Sequence, residues 1–585
     1  MTADPKKRPA PYSPGPLASR TVLAPRWHVK RSAFLMAAIS LAFAGLALRA
    51  GWVQIVDHEF YVAQGEKRHR HLLELEAKRG PIVDRHGALL AVSLTTYEIW
   101  AAPERLDSAA IAPLAQALAL PQQHLRARLE SGSANVLLKR HVDRQTASRI
   151  AGLRLPGVTQ AASSKRFYPE GESAAHVVGL TDVDDIGQEG VELAADALLA
   201  GEPGAREVIR DRLGRVVSDL SPRVPARQGQ AVRLTIDRRI QQLAFAQLKE
   251  ALERHRAQAG SVVVLDAGTG EILALANAPS FDPNARAALT AQTMRNRALV
   301  DTFEPGSTIK PLAIATALEA GRVRPDTLID TERGRYRIGK HTIHDTSDHG
   351  TVSVAQALAT SSNIALAKIA LTLPPETLWT AYRQYGLGLA PPLPFPGVAA
   401  GKLRPWEKWR TVEHATMAYG YGLSTSLLQM AQAYTALAGD GTLRRATLIA
   451  RDDRAQEDAA ADVVGVRVVS AGTAATLRTM LEAATLSGGT GRKAGVEGHR
   501  VGGKTGTAWK HAGTGYARNK YRSLFVGMAP IDAPRLVVAV MIDEPSGSSY
   551  YGGAVAGPVF AAVTGGALQL LGVPPAVQVQ AEPDA

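Results

Sequence analysis

The chain has 585 residues, with 67 lysines and arginines against 54 aspartates and glutamates, for a formal charge of +13. A composition that is 45% hydrophobic and 21% charged excludes a wholly disordered or fibrous protein, and the length predicts several domains. The absence of cysteine excludes disulfides, thiolate nucleophiles and cysteine-ligated metal sites, which leaves hydroxyl, amine, carboxylate and imidazole chemistry.

Residues 1–31 are rich in proline, alanine and basic side chains (Lys6, Lys7, Arg8, Arg20, Arg26, Lys30 and Arg31), with Asp4 the only acid. They read as a disordered tail held in the cytoplasm by the positive-inside rule. Residues 32–48 carry no charge, and the apolar pattern continues past Arg49 through Trp52, Val53, Ile55 and Val56. Residues 32–56 are therefore expected to form a transmembrane signal anchor, with Arg49 near the far interface and Trp52 in the aromatic belt. Ala42-Phe43-Ala44 offers the small residues of a signal-peptide cleavage site, but it lies inside the apolar stretch, so the anchor is read as retained. Ala37, Ala38, Ala42, Ala44 and Gly45 would permit close contact with another helix.

Residues 57–230 alternate short apolar runs with glycine and proline and show no nucleophile–base pair. From Leu234 the texture becomes that of an α/β enzyme. An amphipathic helix is predicted over 238–255, followed by strands at 260–266 and 272–276 joined through Gly268-Thr269-Gly270, a hairpin. Residues 571–585 read as a loose tail.

Three short motifs carry the chemistry. In Phe303-Glu304-Pro305-Gly306-Ser307-Thr308-Ile309-Lys310, a turn leads into a helical pattern, and the i, i+3 spacing puts Ser307 and Lys310 on one face. The amine can take the hydroxyl proton only if burial or neighbouring cations lower its pKa from ~10.4. Thr360-Ser361-Ser362-Asn363 follows a helical run at 354–358, giving a hydroxyl to relay a proton and an amide to hold a carbonyl. Lys504-Thr505-Gly506-Thr507 is expected at a strand edge, where Gly506 would let a substrate backbone approach, the threonines would bind a carboxylate and Lys504 would add charge. Alone, each is an ordinary cap or turn; in this order they form a set.

Two other patterns compete. Gly498 and Gly503-Lys504-Thr505 fit a phosphate-binding loop, with 536–542 and Asp543-Glu544 imitating an ATPase strand, but such a loop must launch a helix, and glycines follow instead. His341, His344, Asp345, Asp348 and His349 have a spacing that suggests a metal, yet Gly350 and the surrounding polar residues read as a solvated loop near Ser361, so no metal or other cofactor is expected. The positive charge is scattered rather than striped, and nucleic acid is not an expected partner.

Ser-x-x-Lys, Ser-x-Asn and Lys-Thr-Gly in this order resemble the signature of β-lactamases and penicillin-binding proteins. Ser362 stands where aspartate is common, at a position read as bearing no required chemistry. Arg79-Gly80, Asp84-Arg85, Arg166, Tyr168-Pro169, His176, Gly179, Gly187, Gly190 and Glu192 resemble the pedestal motifs of class B penicillin-binding proteins. Leu234-Thr235-Ile236-Asp237, Asn296-Arg297-Ala298 and Tyr550-Tyr551-Gly552-Gly553 are similar to that family's transpeptidase domain. Phe303-Glu304-Pro305-Gly306-Ser307 and Tyr419-Gly420-Tyr421-Gly422 look like the cell-division branch, the penicillin-binding protein 3 type, with the elongation type the nearer rival. The chain departs at Val398, where the family usually has an acid. No Glu-x-x-Leu-Asn motif supports a β-lactamase, and intact Lys310, Asn363 and Lys504 speak against a vestigial sensor or scaffold.

The resemblance implies a mixed α/β chain: a cytoplasmic tail (1–31), a single transmembrane helix (32–56), an elongated α+β pedestal (57–230), a transpeptidase domain with an antiparallel sheet flanked by helices (231–570) and a tail (571–585). It implies a septal peptidoglycan D,D-transpeptidase of the inner membrane, with its catalytic domain in the periplasm and its N-terminus in the cytoplasm. Ser307 would be the nucleophile and Lys310 its base, with Ser361, Asn363 and Lys504 catalytic and Thr505, Gly506 and Thr507 binding substrate. The amides of Ser307 and Thr507 would form the oxyanion hole. The implied partners are stem peptides as D-Ala-D-Ala donor and amine acceptor, β-lactams, the membrane, a membrane-embedded glycosyltransferase and other division proteins.

Overall fold

The computed structural model describes residues 26–61, 70–75, 77–210, 216–219, 224–450, 465–512 and 515–576; the tail expectations for 1–25 and 577–585 lie outside the described residues. The chain divides into two compact units, residues 1–75 with 204–225 and the remainder.

In the first unit, Arg26–Gly51 is one α-helix that runs into a π-helical turn, Trp52–Val56. Lys30–Val56 has a mean hydropathy of 1.9 and is wholly unburied, so by length and composition it can cross a membrane. The helix begins at Arg26 rather than at residue 32, because lysine and arginine propagate a helix as well as most apolar residues do. Arg70–Leu75, Gly204–Arg210 and Val216–Asp219 form a three-stranded antiparallel sheet in the same unit.

The second unit begins with a sheet in which the long strand Leu89–Ala101 pairs with Val158–Phe167, Val136–Val142 and Ile82–Val83. Ile99, Leu114, Leu118, Leu138 and Ile150 form its core. Beside it the expected pedestal motifs meet. Arg79 Nε and Arg166 Nε donate to opposite oxygens of Glu192 at 2.6 and 2.7 Å, and Arg79 Nη1 reaches Asp196 at 2.7 Å. Gly179 is required here, since its φ is +81° and a Cβ would lie 1.8 Å from the Glu189 carbonyl oxygen.

The rest of this unit is built on an antiparallel sheet. Helix α1 (Arg238–His255) precedes strands β1 (Ala259–Asp266) and β2 (Ile272–Ala278), the expected hairpin. Helices α2 (Lys310–Glu319), α3 (Val354–Thr360), α4 (Asn363–Leu371) and α5 (Leu427–Ala438) follow. Strands β3 (Gly502–Ala512), β4 (Gly515–Ala529) and β5 (Leu536–Asp543) and helix α6 (Gly552–Leu570) close the domain. The sheet order is β2-β1-β5-β4-β3, which leaves β3 at an edge.

The central strands are continuous apolar runs because both faces are covered. Val262, Val264, Val538 and Val540 pack with Ile240 and Leu248 of α1 and Phe560 and Val563 of α6. Val263, Leu265, Val537 and Met541 join the core that contains Leu312, Leu358, Leu366 and Leu428. Every residue of α5 is buried, which makes it the central helix of the domain. Helix α6 is also apolar enough to span a membrane, but 50% of it is buried against the sheet, so it is a core helix.

Candidate active site

The segment that carries Ser307 is a 3₁₀ turn, Gly306–Ile309, that leads into α2 at Lys310. Ser307 therefore sits one turn before the α-helix instead of capping it, and its side chain makes no capping hydrogen bond. Three contacts hold the turn. Gly306 N donates to the Gly420 carbonyl at 3.2 Å, Thr308 Oγ1 donates to the Pro305 carbonyl at 2.6 Å, and the buried Tyr434 hydroxyl of α5 donates to the Thr308 carbonyl at 2.6 Å. Gly420, at φ +91°, admits no side chain, since a Cβ would lie 2.1 Å from the Gly306 oxygen.

Lys310 is fully buried. Its Nζ donates to the Ser361 carbonyl at 2.5 Å, the Ser361 hydroxyl at 3.1 Å and Asn363 Oδ1 at 2.8 Å. No hydrogen bond joins Ser307 to Lys310 among the described residues; the lysine faces the Ser361 motif, with the partly exposed Ser307 hydroxyl one turn away. Burial, reinforced by the charge of Lys504 and only partly opposed by Asp345, holds the Lys310 amine well below the ordinary lysine range.

Ser361 terminates α3 in the left-handed region, at φ 63° and ψ 39°, which lets its carbonyl and hydroxyl face the same amine. Ser362 caps α4 and is fully buried, and its hydroxyl donates to Asp345 Oδ2 at 2.5 Å. Asp345 Oδ1 also accepts from the amides of Asn363 at 2.5 Å and Ile364 at 3.1 Å, a carboxylate at a helix N-terminus. This corrects two expectations. The variable position does have a local task, and Asp345 belongs to the architecture of the Ser-x-Asn motif. His341–His344 is a strand paired with Arg335–Ile338 rather than a loop, and the His344 carbonyl accepts from Asn363 Nδ2 at 3.0 Å. Asn363 thus has its oxygen on the lysine and its nitrogen on His344, so in this state it positions Lys310.

Lys504 and Thr505 lie on edge strand β3, with no helix after them, which removes the phosphate-loop reading. Lys504 is fully buried, and burial pushes its amine down to about 7, so it carries only part of the charge expected of it near neutrality. Its Nζ donates to the Thr505 carbonyl and hydroxyl, both at 3.2 Å, and the Thr505 hydroxyl meets that of Thr490 at 2.8 Å. Thr507 Oγ1 accepts from Gly552 N at 3.0 Å, which ties β3 to the start of α6. Gly506 has a packing role as well as the one expected of it. A Cβ there would meet Thr308 Cγ2 at 2.8 Å and the Pro305 oxygen at 3.2 Å, so the glycine lets β3 close on the turn that carries Ser307. Sequence reasoning named Asp345 only within the metal-like pattern, and it did not single out Thr490 or Tyr434.

A serine beside a buried, low-pKa lysine, facing a threonine-bearing edge strand across a helix terminus, defines a serine acyltransferase of the penicillin-recognising kind. Residues 260–565 match the penicillin binding protein transpeptidase domain and residues 74–234 the penicillin-binding protein dimerisation domain. The chain is 42% identical to the probable peptidoglycan D,D-transpeptidase PenA of Neisseria meningitidis, over 93% of each chain. It is 37% identical to the peptidoglycan D,D-transpeptidase FtsI of Escherichia coli K12, over 93% of this chain and 92% of that one. Penicillin binding protein 3 of Mycobacterium tuberculosis, solved in complex with aztreonam, superposes with a TM-score of 0.67 at 29% identity, covering 86% of this chain and 98% of that one. The chain belongs to the class B penicillin-binding proteins, with the PenA and FtsI transpeptidases.

Proposed function

We propose that this protein is a septal peptidoglycan D,D-transpeptidase anchored by one membrane helix, with its catalytic domain in the periplasm. The observation that carries this reading is the fully buried Lys310, held by Ser361 and Asn363 one turn from Ser307. Ser307 Oγ attacks the carbonyl carbon of the D-Ala-D-Ala bond while its proton passes to neutral Lys310. The amides of Ser307 and Thr507 hold the oxyanion, where one donor is worth about 10²–10³ in rate. Collapse breaks the C–N bond, and Ser361 relays the proton from Lys310 to the departing D-Ala amine. The amine of a second stem then attacks the ester and gives a proton back through Lys310 to Ser307. Thr505, with Lys504 and Thr490 behind it, receives the terminal carboxylate.

A β-lactam enters as a donor mimic and stops at the acyl-enzyme. We assign the chain as tail 1–31, anchor 32–56, pedestal 57–230, transpeptidase 231–570 and tail 571–585, with a membrane-embedded glycosyltransferase and division proteins as partners. The likeness to FtsI and to penicillin binding protein 3 supports the septal role over elongation. The test is mass spectrometry of the penicillin-treated full-length protein in detergent. One adduct on Ser307, absent in Ser307→Ala, is expected; undiminished labelling of that variant would place the nucleophile elsewhere.

A further inference from the structure

The hairpin formed by Arg335–Ile338 and His341–His344 stands beside Asn363 and carries charge that the chemistry above does not use. Between residues 333 and 344 the chain has Arg333, Arg335, Arg337 and Lys340 and no acid. One face of the hairpin turns inward, where Ile343 is 5% exposed and joins the core with Tyr336 and Ile338 packed against it. The period of two turns Arg335 and Arg337 to the other face, and their cross-strand partners there are His344 and Thr342. Both arginines are exposed, and neither makes an ion pair among the described residues; Arg337 Nε donates to the Gly339 carbonyl at 2.9 Å. The flanking acids have other partners. Glu332 takes Lys368 at 2.9 Å, Asp345 accepts from the first amides of α4, and Asp330 and Asp348 accept from the amides of Glu332 and Gly350, both at 2.9 Å.

The foot of the hairpin is one side chain from the Lys310 amine. Asn363 accepts from Lys310 at 2.8 Å through its oxygen and donates to the His344 carbonyl at 3.0 Å through its nitrogen. An amine that is to lose its proton to Lys310 arrives near Ser361 and Asn363, because these are the groups that Lys310 faces. From His344, Arg335 is one strand spacing away, ~4.8 Å, and Arg337 is ~7 Å further along, a span that a peptide of two or three residues covers. We propose that the exposed face of this hairpin is the docking surface for the second stem, an acidic peptide amine whose carboxylate sits on Arg335 and Arg337 while its amine reaches the Ser307 ester. The amine forms the new C–N bond, the ester C–O bond breaks, and the proton of the amine returns through Lys310 to Ser307 Oγ. Charge complementarity selects this occupant, since two exposed guanidinium groups attract a carboxylate and leave the amine end free. The proposal deepens the transpeptidase reading above and rests on it. It also gives an amine an advantage over water at the ester, because a docked acceptor raises the local concentration of its amine.

The test uses full-length protein in detergent, acylated by one synthetic thioester donor and offered two acceptor peptides that differ only in a carboxylate or its carboxamide. The partition of the acyl-enzyme between aminolysis and hydrolysis is read for each. In the wild type the carboxylate acceptor is expected to be preferred about fourfold or more, as two exposed charge pairs allow. Arg335→Gln combined with Arg337→Gln should bring the preference below about twofold, and Arg335→Glu combined with Arg337→Glu should invert it in favour of the carboxamide. Both positions are exposed, so each double variant should melt close to wild type. A wild-type preference near one, or a preference unmoved in both double variants, overturns the proposal. Weaker binding of the double variants to phosphatidylglycerol vesicles, with an unmoved preference, also overturns it, because the face would then serve a lipid surface. Penicillin labelling of the same samples separates the two readings. Its absence overturns the transpeptidase reading, whereas labelling with a preference near one overturns the docking surface alone.

Discussion

The pedestal and the catalytic cleft both bury charge, and they treat it in opposite ways. In the pedestal, Arg79 and Arg166 close on the two oxygens of Glu192, with every side chain in the cluster core at most 2% exposed. Burial alone would lower the Arg79 pKa, but Glu192 and Asp196 outweigh it, and the guanidinium is held above its usual value. In the cleft, Lys310 and Lys504 are as deeply buried, yet their hydrogen-bond partners are hydroxyls, carbonyls and an amide oxygen. With no carboxylate in contact to offset desolvation, both amines lose proton affinity. A buried cation with a counterion holds a shape; one without is ready to exchange a proton.

The largest effect should come from breaking the paired side. Glu192→Ala leaves two arginines buried without their anion and is expected to destabilise the second unit by about 3–5 kcal/mol, read as a lowered urea midpoint. A loss below about 1 kcal/mol would mean that water reaches the cluster. On the unpaired side, Lys310→Met and Lys310→Arg should each slow acylation by at least about 10²-fold, since neither side chain can act as a base near pH 7. They should differ in stability. Methionine roughly conserves volume, whereas arginine overpacks a closed site at a cost of about 1–3 kcal/mol. An arginine variant that acylates within a few-fold of wild type would show that Lys310 supplies charge rather than basicity.

The pH dependence follows from the direction of the shifts. Acylation should rise with pH as Lys310 deprotonates, with a midpoint well below the ordinary lysine value. Lys504 titrates at about 7 when folded and at its ordinary value of 10.5 when unfolded. Between these values the unfolded chain binds the extra proton, so stability rises with pH across that window and is level below and above it. Scanning calorimetry should show a melting temperature that climbs by a few degrees from neutral to alkaline pH in the wild type and climbs less in Lys504→Met. The smallest effect is expected from Thr490→Val, which removes the hydroxyl behind Thr505. Loss of one hydrogen bond of about 0.5–1.5 kcal/mol should slow acylation roughly twofold to tenfold. No change would detach Thr490 from carboxylate recognition.

Local elements were legible because their signals are local. Helix α1, the β1–β2 hairpin and the edge position of Lys504 followed from periodicity and turn residues, whereas the i, i+3 spacing of Ser307 and Lys310 did not show that the lysine turns to Ser361 and Asn363. The 3₁₀ turn before α2 was not legible, because Pro305 and Gly306 signal a turn without specifying its pitch. Asp345 and Ser362 were misread for a different reason. Their meaning is the bond between them, which joins the end of a hairpin to the start of α4, and no spacing rule connects those places.

The amino-acid sequence by itself determined the order of the motifs, the apolar span near the N-terminus and the absence of thiol chemistry. These depend on residue type and on neighbours within a turn or two. Only the tertiary structure decided that Lys310 faces Ser361 and Asn363, that Gly506 leaves room for the turn carrying Ser307 and that burial lowers the Lys504 amine to about 7. Each of those depends on how much water and which charges surround a side chain, and segments far apart in the chain supply both.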